Sequence, residues 1–371
     1  MTNQTTNPDL GAADISLKTI VAMSGGVDSS VAALLLQNEG HTLVGITLKL
    51  FTNEHACIKN ERTCCSLNDV ADAQSVCYRM NIPHYVFNFS EDFRTNVMDR
   101  FATSYEKGYT PNPCIDCNRY IKFDKLLQRA KQLDFNNIAT GHYVQREYDT
   151  STGRYLLKKA VDESKDQSYV LFCLTQEQLS KTLFPLGGLL KSQVREIALE
   201  NGFINAKKHD SQDICFVPDG DYYAFLKEYL QRDFPKGNFI DEAGTVLGKH
   251  DGIAKYTVGQ RKGLGISSPA PLYVKEKNLE ANTVILSAED HLYQKSLTAT
   301  DINLIAYDKI PSPIKVKAKT RYKQKEQTAI LEQIDETSVH IEFESPQRAI
   351  TKGQAVVFYE DDVVVGGGTI V

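Results

Sequence analysis

The sequence predicts an α/β protein: a doubly wound parallel sheet, then a small central domain, then a C-terminal antiparallel β-barrel. Three observations predict it. The first half alternates short apolar runs with stretches of helical spacing, the pattern of parallel strands joined by crossover helices. After about Cys215 the texture turns glycine-rich, and from Tyr273 onward nearly every segment is a short strand between turns, as in a closed antiparallel sheet. The length, 371 residues, exceeds what one hydrophobic core usually organises.

Residues 19–23 form the first apolar run, a buried strand. A Gly-Gly turn follows, then a helix over 29–38 rich in Ala and Leu, which Gly40 ends as a C-cap. Residues 43–50 are the next strand, 69–80 a helix, 83–89 a strand and 123–133 a helix. Residues 137–140 make a strand that runs into Gly141-His142. Ligands of such a sheet collect at the carboxyl ends of its strands. Residues 220–232 read as a helix and 237–265 as turn-rich chain. Strands are expected over 283–286, 314–321, 338–343, 355–359 and 363–365. The expected divisions are a flexible leader over 1–17, an α/β domain over 18–212, a central linking domain over 213–286 and a C-terminal barrel over 287–371.

Composition limits the function classes. Hydrophobic residues make up 42% and charged residues 24%, an ordinary globular balance that excludes a disordered tail or a collagen-like rod. Lys and Arg number 42 against 47 Asp and Glu, a net charge of −5, so a nucleic-acid partner must be held by a local basic surface. No apolar run is long enough to span a bilayer, and 1–17 lacks a basic stretch followed by an apolar one, so no membrane partner is expected. The expected compartment is the cytoplasm. There, eight cysteines read as catalytic, metal-binding or buried thiols and not as a disulfide framework.

The first motif is Ser24-Gly25-Gly26-Val27-Asp28-Ser29-Ser30, set between a strand and a helix. Two glycines let the backbone approach a phosphate, hydroxyls add donors, and the helix N-terminus supplies N–H groups and positive potential. It has neither the Lys of a Walker loop nor the spacing of a dinucleotide fingerprint. The plainer reading is a Gly-rich turn capped by Ser. The second motif is Thr110-Pro111-Asn112-Pro113-Cys114-Ile115-Asp116-Cys117-Asn118, in which two prolines stiffen the turn before a CxxC. The third is Ile214-Cys215-Phe216, where Cys215 is either a distant partner of that CxxC or a core thiol.

Ser24–Ser30 resembles the phosphate loop of the N-type ATP pyrophosphatases. The loop is joined, in order, by Ala139-Thr140-Gly141-His142-Tyr143, Lys165-Asp166-Gln167-Ser168-Tyr169, Ile214-Cys215-Phe216, Gly259-Gln260-Arg261-Lys262-Gly263-Leu264-Gly265, Arg321-Tyr322 and Gly353-Gln354-Ala355-Val356. With the CxxC segment, this set resembles the tRNA-specific 2-thiouridylases over essentially the whole chain after the leader. The resemblance implies ATP as substrate with Mg2+, adenylation of the wobble uridine O2 of tRNA, and sulfur from a cysteine desulfurase or sulfur-relay protein. It implies Cys117 as nucleophile and Cys215 as persulfide carrier. It implies ATP contacts at Ala22, Met23, Ser24, Gly25, Gly26, Val27, Asp28, Ser29, Ser30, Leu48 and Gly141. The target base would meet Asn112, Pro113 and Cys114. The tRNA would meet His142, Lys165, Asp166, Gln167, Arg321, Tyr322 and Gln354.

One position departs from the pattern. Where the family commonly has Asp, a candidate proton-transfer group, this chain has Cys114. Cys114, Cys117 and Cys215 together resemble the three-cysteine 4Fe–4S sites of some tRNA-thiolating enzymes. Cluster and dithiol routes both stand at this point. His55, Cys57, Cys64 and Cys65 have a zinc reading beside that of thiols in a mobile loop, and Cys173 reads as core.

Lys315, Lys317, Lys319, Arg321, Lys323 and Lys325 fall on every second residue. On one strand they would form a cationic stripe with charges roughly 6.6 Å apart, suited to a phosphate backbone. The expected function is sulfur transfer to tRNA. The alternatives are a synthetase acting on a small acceptor and a non-enzymatic metal-binding RNA protein.

Overall fold

The first apolar run becomes Lys18–Ala22, the central strand of a five-stranded parallel sheet. The computed structural model describes residues 17–52, 67–208 and 214–371. Thr42–Lys49 and then His84–Asn88 lie on one side of the central strand; Asn137–Ala139 and then Thr182–Leu183 lie on the other. The chain builds outward in one direction and then resumes on the opposite side of Lys18–Ala22. That reversal opens a crevice at the carboxyl ends of Lys18–Ala22 and Asn137–Ala139, where a ligand of such a sheet is expected.

Alternate side chains of the central strand serve two cores. Ile20 packs with Ile46, Ile138 and Phe123 on one face, and Val21 with Val31, Ala32 and Val194 on the other. Helix Val27–Asn38 covers the second face with its small residues Ala32 and Ala33, both fully buried. Two longer helical runs, 90–106 and 113–132, each contain a π-helical stretch, Arg94–Met98 and Cys117–Lys125. The second run begins at the CxxC.

The central region contributes a four-stranded sheet, Gly237–Ile240, Val246–His250, Tyr273–Asn278 and Thr283–Ser287, around its own core of Phe239, Tyr256, Val274 and Leu286. The C-terminal barrel has six antiparallel strands, closed by pairing of Tyr293–Leu304 with Val363–Ile370. Residues 144–159 hold a hairpin, Val144–Asp149 and Arg154–Lys159, which the sequence reading left without strands. The hairpin joins the barrel sheet: Lys158 pairs with Val363, and the Lys159 amide donates to the Asp362 carbonyl at 2.8 Å. Val357, Tyr359 and Val364 of the barrel pack into the same cluster as Tyr169, Phe172 and Leu174. Barrel and sheet domain therefore share a core.

The cationic stripe is corrected by the structure. The strand runs only Ile314–Lys319, and 320–326 is turn. Lys315 is exposed and paired with Glu344, and Lys317 is exposed. Lys319 is buried against the rings of Tyr169 and Tyr359. Arg321 donates to the Ala349 carbonyl at 2.6 Å and to Thr351 Oγ1 at 3.1 Å. The face keeps its alternation, but the shared core covers its far end, and two cations become packing groups. The zinc reading at His55, Cys57, Cys64 and Cys65 and the leader over 1–16 lie outside the described residues.

Candidate active site

The loop after the central strand is shaped by Gly25 and braced from four sides. Gly25 sits at φ +72°, and a Cβ there would stand 2.3 Å from the Asp69 carbonyl oxygen, so any other residue must displace backbone. Gly26 is the N-cap of Val27–Asn38, and its carbonyl accepts from Ser29 Oγ and Ser30 Oγ, each at 3.1 Å. Asn205 Nδ2 donates to the Gly25 carbonyl and to Ser30 Oγ, and Lys208 bridges that carbonyl to Asp69 and Asp72. The first-turn N–H groups of the helix are thereby held facing the crevice, the usual arrangement for an anion.

Asp28 is the acid of this loop. Lys191 Nζ contacts both its oxygens, at 2.7 and 2.8 Å, and Tyr143 Oη donates to Oδ1 at 2.7 Å. Gly141, at the end of Asn137–Ala139, is needed for close approach: a Cβ would lie 2.7 Å from the Ser29 amide nitrogen. The turn after Asn137–Ala139 is thus pressed against the first turn of Val27–Asn38 at the crevice.

The thiol turn is held by a different set of contacts. Asn112 caps the helical run, its Oδ1 accepting the Cys114 N–H at 3.1 Å, with Pro113 in the first turn. The barrel grips Thr110, two residues before the cap: Gln354 Nε2 donates to the Thr110 carbonyl at 2.6 Å, and the Thr110 amide donates to the Lys352 carbonyl at 2.9 Å. Cys215 is carried beside Phe216, whose ring is 5.3 Å from Phe101 and 5.2 Å from Phe225 between centroids. This aromatic cluster anchors the segment.

One cavity of about 300 Å³ joins these parts. Ser24, Asp28 and Ser29 line it with Ala22, Met23, Leu48 and Gly141; Cys114, Cys117 and Cys215 line it with Pro113. His142, Gln167, Thr47 and Lys122 complete its polar wall. Among the described residues, no three His, Cys, Asp or Glu side chains stand together as a metal-binding set. The three thiols line one cavity without being gathered around a single ion.

His142 is buried, bonded through Nδ1 to Thr140 Oγ1 at 2.8 Å, and 5.7 Å from the Phe123 ring. Burial first, and the Lys122 charge second, hold its imidazole well below the ordinary 6.5. The unfolded chain therefore takes up a proton below pH 6.5 that the folded chain refuses, and stability falls as pH drops through that value. His142→Asn should flatten the loss of denaturant midpoint between pH 7 and pH 5. An unchanged slope in the variant would reject this account.

A family profile described as the tRNA methyl transferase HUP domain matches residues 17–219. The PRC-barrel domain and the aminomethyltransferase β-barrel domain described for the same proteins match 223–288 and 294–370. The chain is 49% identical to a tRNA-specific 2-thiouridylase MnmA of Thermoanaerobacter pseudethanolicus, over 95% of this chain and 97% of that protein. It is 48% identical to the MnmA of Clostridioides difficile, over 95% and 98%. The chain belongs to the tRNA-specific 2-thiouridylase family. Among solved structures, a 4-thiouridine synthetase–RNA complex with bound ATP has a TM-score of 0.35 at 16% identity, over 54% of this chain and 45% of that one, too low to argue from.

The residues that the 2-thiouridylase resemblance marks for tRNA are dispersed. His142 and Gln167 line the cavity, and Gln167 Oε1 accepts the Tyr143 N–H at 2.9 Å. Asp166 accepts from the Ala160 amide and from Ser168 Oγ, fixing its own loop, with Lys165 beside it. Tyr322 donates to the Asp166 carbonyl at 3.0 Å, which joins barrel to loop. Arg321 and Gln354 make the contacts to the 349–351 turn and to Thr110 described above. Sequence reasoning missed Lys191, Tyr143 and Lys122 as site residues. Tyr143 stood inside a recognised motif and Lys122 lies four residues beyond the CxxC segment; Lys191 carried no local signal, since its role exists only through contact with Asp28.

Proposed function

We propose that the protein uses ATP to replace the C2 oxygen of the wobble uridine of tRNA by sulfur, giving 2-thiouridine, AMP and pyrophosphate. The observation that carries this reading is the single cavity lined both by the phosphate loop and by three cysteines. The phosphates sit against the first turn of Val27–Asn38 and the hydroxyls of Ser24 and Ser29. Mg2+ would meet the Asp28 carboxylate, which Lys191 and Tyr143 hold in place, and supplies charge neutralisation on the leaving pyrophosphate when bound.

Uridine O2 attacks the α-phosphorus, and the bond to the bridging oxygen of pyrophosphate breaks as the N3 proton is lost. A cysteine desulfurase or sulfur-relay protein has delivered a sulfur atom to Cys215 as a persulfide. Its terminal sulfur attacks C2, and AMP leaves with the former O2. The Cys117 thiolate then attacks Cys215 Sγ, the sulfur–sulfur bond breaks, and its electron pair restores a thiocarbonyl as N3 regains its proton. A Cys117–Cys215 disulfide remains for a thiol reductant. The enclosing wall of Phe93, Val97, Leu50 and Phe216 keeps the adenylate from water.

The barrel over 287–371 serves as the RNA-binding domain and as support for the thiol turn. Gln354→Ala should lower kcat about fivefold, the rate equivalent of one hydrogen bond near 1 kcal/mol, with a smaller change in KM for tRNA. A KM effect alone would reassign Gln354 to RNA contact. The proposed function is tested by pyrophosphate release with tRNA, with a small amide acceptor and with none. Release only with tRNA, together with 2-thiouridine in the digested product, is the expected result. Release with the small acceptor and no change in tRNA would overturn it.

A further inference from the structure

Three thiols share the cavity, yet the sulfur transfer above uses only two. Their exposure orders them: Cys114 is exposed, Cys215 half-buried, and Cys117 7% exposed. Transfer ends with Cys117 oxidised at the enclosed end of this series. A protein reductant must present its own thiolate in line with the disulfide it attacks, and buried Cys117 offers little room for that.

Cys114 is placed to relieve this. It lies in the first turn of the helical run 113–132, three residues before Cys117, so the two side chains share one face. Helical residues three apart have Cβ atoms about 5–6 Å apart, and a disulfide needs about 3.5–4.5 Å, so the first turn tightens by about an ångström to close the bond. The Asn112 cap and Pro113 hold that turn, and a helix N-terminus favours the thiolate, the reactive form. The barrel residue Tyr322 stands near enough that charge on Cys114, after burial and Asp166, pushes its phenol up. The arrangement is an exposed thiol at the mouth and a buried one a turn below it.

We propose that Cys114 is a resolving thiol that carries the oxidising equivalent from the buried pair to the surface. The Cys114 thiolate attacks Cys117 Sγ in the Cys117–Cys215 disulfide. The Cys114–Cys117 bond forms as the Cys117–Cys215 bond breaks, and Cys215 leaves as a thiolate, with no net gain or loss of electrons. Cys215 is then ready for another persulfide sulfur before any reductant has acted. A protein dithiol of the thioredoxin class attacks exposed Cys114 Sγ, passes through a mixed disulfide, and leaves oxidised while Cys114 and Cys117 return to thiols.

This relay rests on the persulfide reading of Cys215 and Cys117, and one experiment separates the two. Protein loaded with persulfide at Cys215 is given ATP and tRNA without reductant, quenched in acid, alkylated and mapped by peptide mass spectrometry. The expected result is 2-thiouridine with a Cys114–Cys117 disulfide and alkylated Cys215; Cys114→Ser should stop at Cys117–Cys215 with Cys215 protected. Formation of 2-thiouridine with a Cys117–Cys215 disulfide and alkylated Cys114 in the wild-type protein would overturn the relay and leave the function standing. Formation of 2-thiouridine with no disulfide and bound iron would overturn both relay and persulfide route. Absence of 2-thiouridine would overturn the proposed function and the relay with it. The wild-type map decides the matter even if the variant fails to fold.

Discussion

Cys215→Ser should release AMP and pyrophosphate in the presence of tRNA and form no 2-thiouridine. Activation draws on the phosphate loop, the Asp28–Lys191 pair and the end of Asn137–Ala139, none of which supplies a thiol. Serine keeps the side-chain size, and Phe216 keeps its seat among Phe93, Phe101 and Phe225, so the segment stays in place. A hydroxyl cannot hold a sulfane sulfur or accept thiolate attack, so the product falls to background. Pyrophosphate release and nucleoside mass spectrometry on the same reaction read both halves. Wild-type thiolation by this variant would remove Cys215 from the sulfur path.

Gly25→Ala should cost about 10²-fold in adenylation, because a shift of about 1 Å in a phosphate-binding backbone costs that much in positioning. Two effects combine at this residue. The left-handed backbone alone costs an alanine about 1–2 kcal/mol. The Cβ would also lie 2.3 Å from the Asp69 carbonyl oxygen and 2.8 Å from Asp69 Cα, so loop and helix Leu67–Arg79 must part. Gly40→Ala separates them. Its φ is +88° and nothing lies within 4 Å of its Cβ, so it carries the backbone cost without the clash. Gly40→Ala should lose a similar increment of stability in denaturant melts and keep its adenylation rate; equal adenylation loss in both variants would show that global destabilisation is responsible. Binding of tRNA should be nearly unchanged in Gly25→Ala if the barrel holds the RNA as proposed, since no barrel residue lines the cavity.

The parallel strands of the first domain were legible because each is a short apolar run between turn signals; Lys18–Ala22 and Thr42–Lys49 are mostly buried, and His84–Asn88 is the exposed edge. Residues 19–23, 43–50 and 83–89 were read as strands, and the structure has Lys18–Ala22, Thr42–Lys49 and His84–Asn88. The hairpin at 144–159 was not legible. Val144–Asp149 and Arg154–Lys159 are largely polar, and their outer partner, Val363, lies some two hundred residues away. The cationic stripe shows the opposite failure. Alternation of lysines was correctly read as strand periodicity over 315–319, but the reading continued past the real end of the strand. It also took the whole face to be open to a phosphate backbone where Tyr169 and Tyr359 cover Lys319.

The sequence by itself determined the elements whose cause is local. Gly25 marks the loop because only glycine takes that conformation there, Asn112-Pro113 starts a helix because one caps and the other fits its first turn, and the order of the motifs names the family. Tertiary structure alone decided which groups meet. It set Lys191 on Asp28, Gln354 on Thr110, Lys158 beside Val363, and three thiols around one cavity in graded exposure. Local conformation depends on neighbours within a few residues, whereas these contacts depend on how whole sheets pack, and that packing is a property of the assembled core.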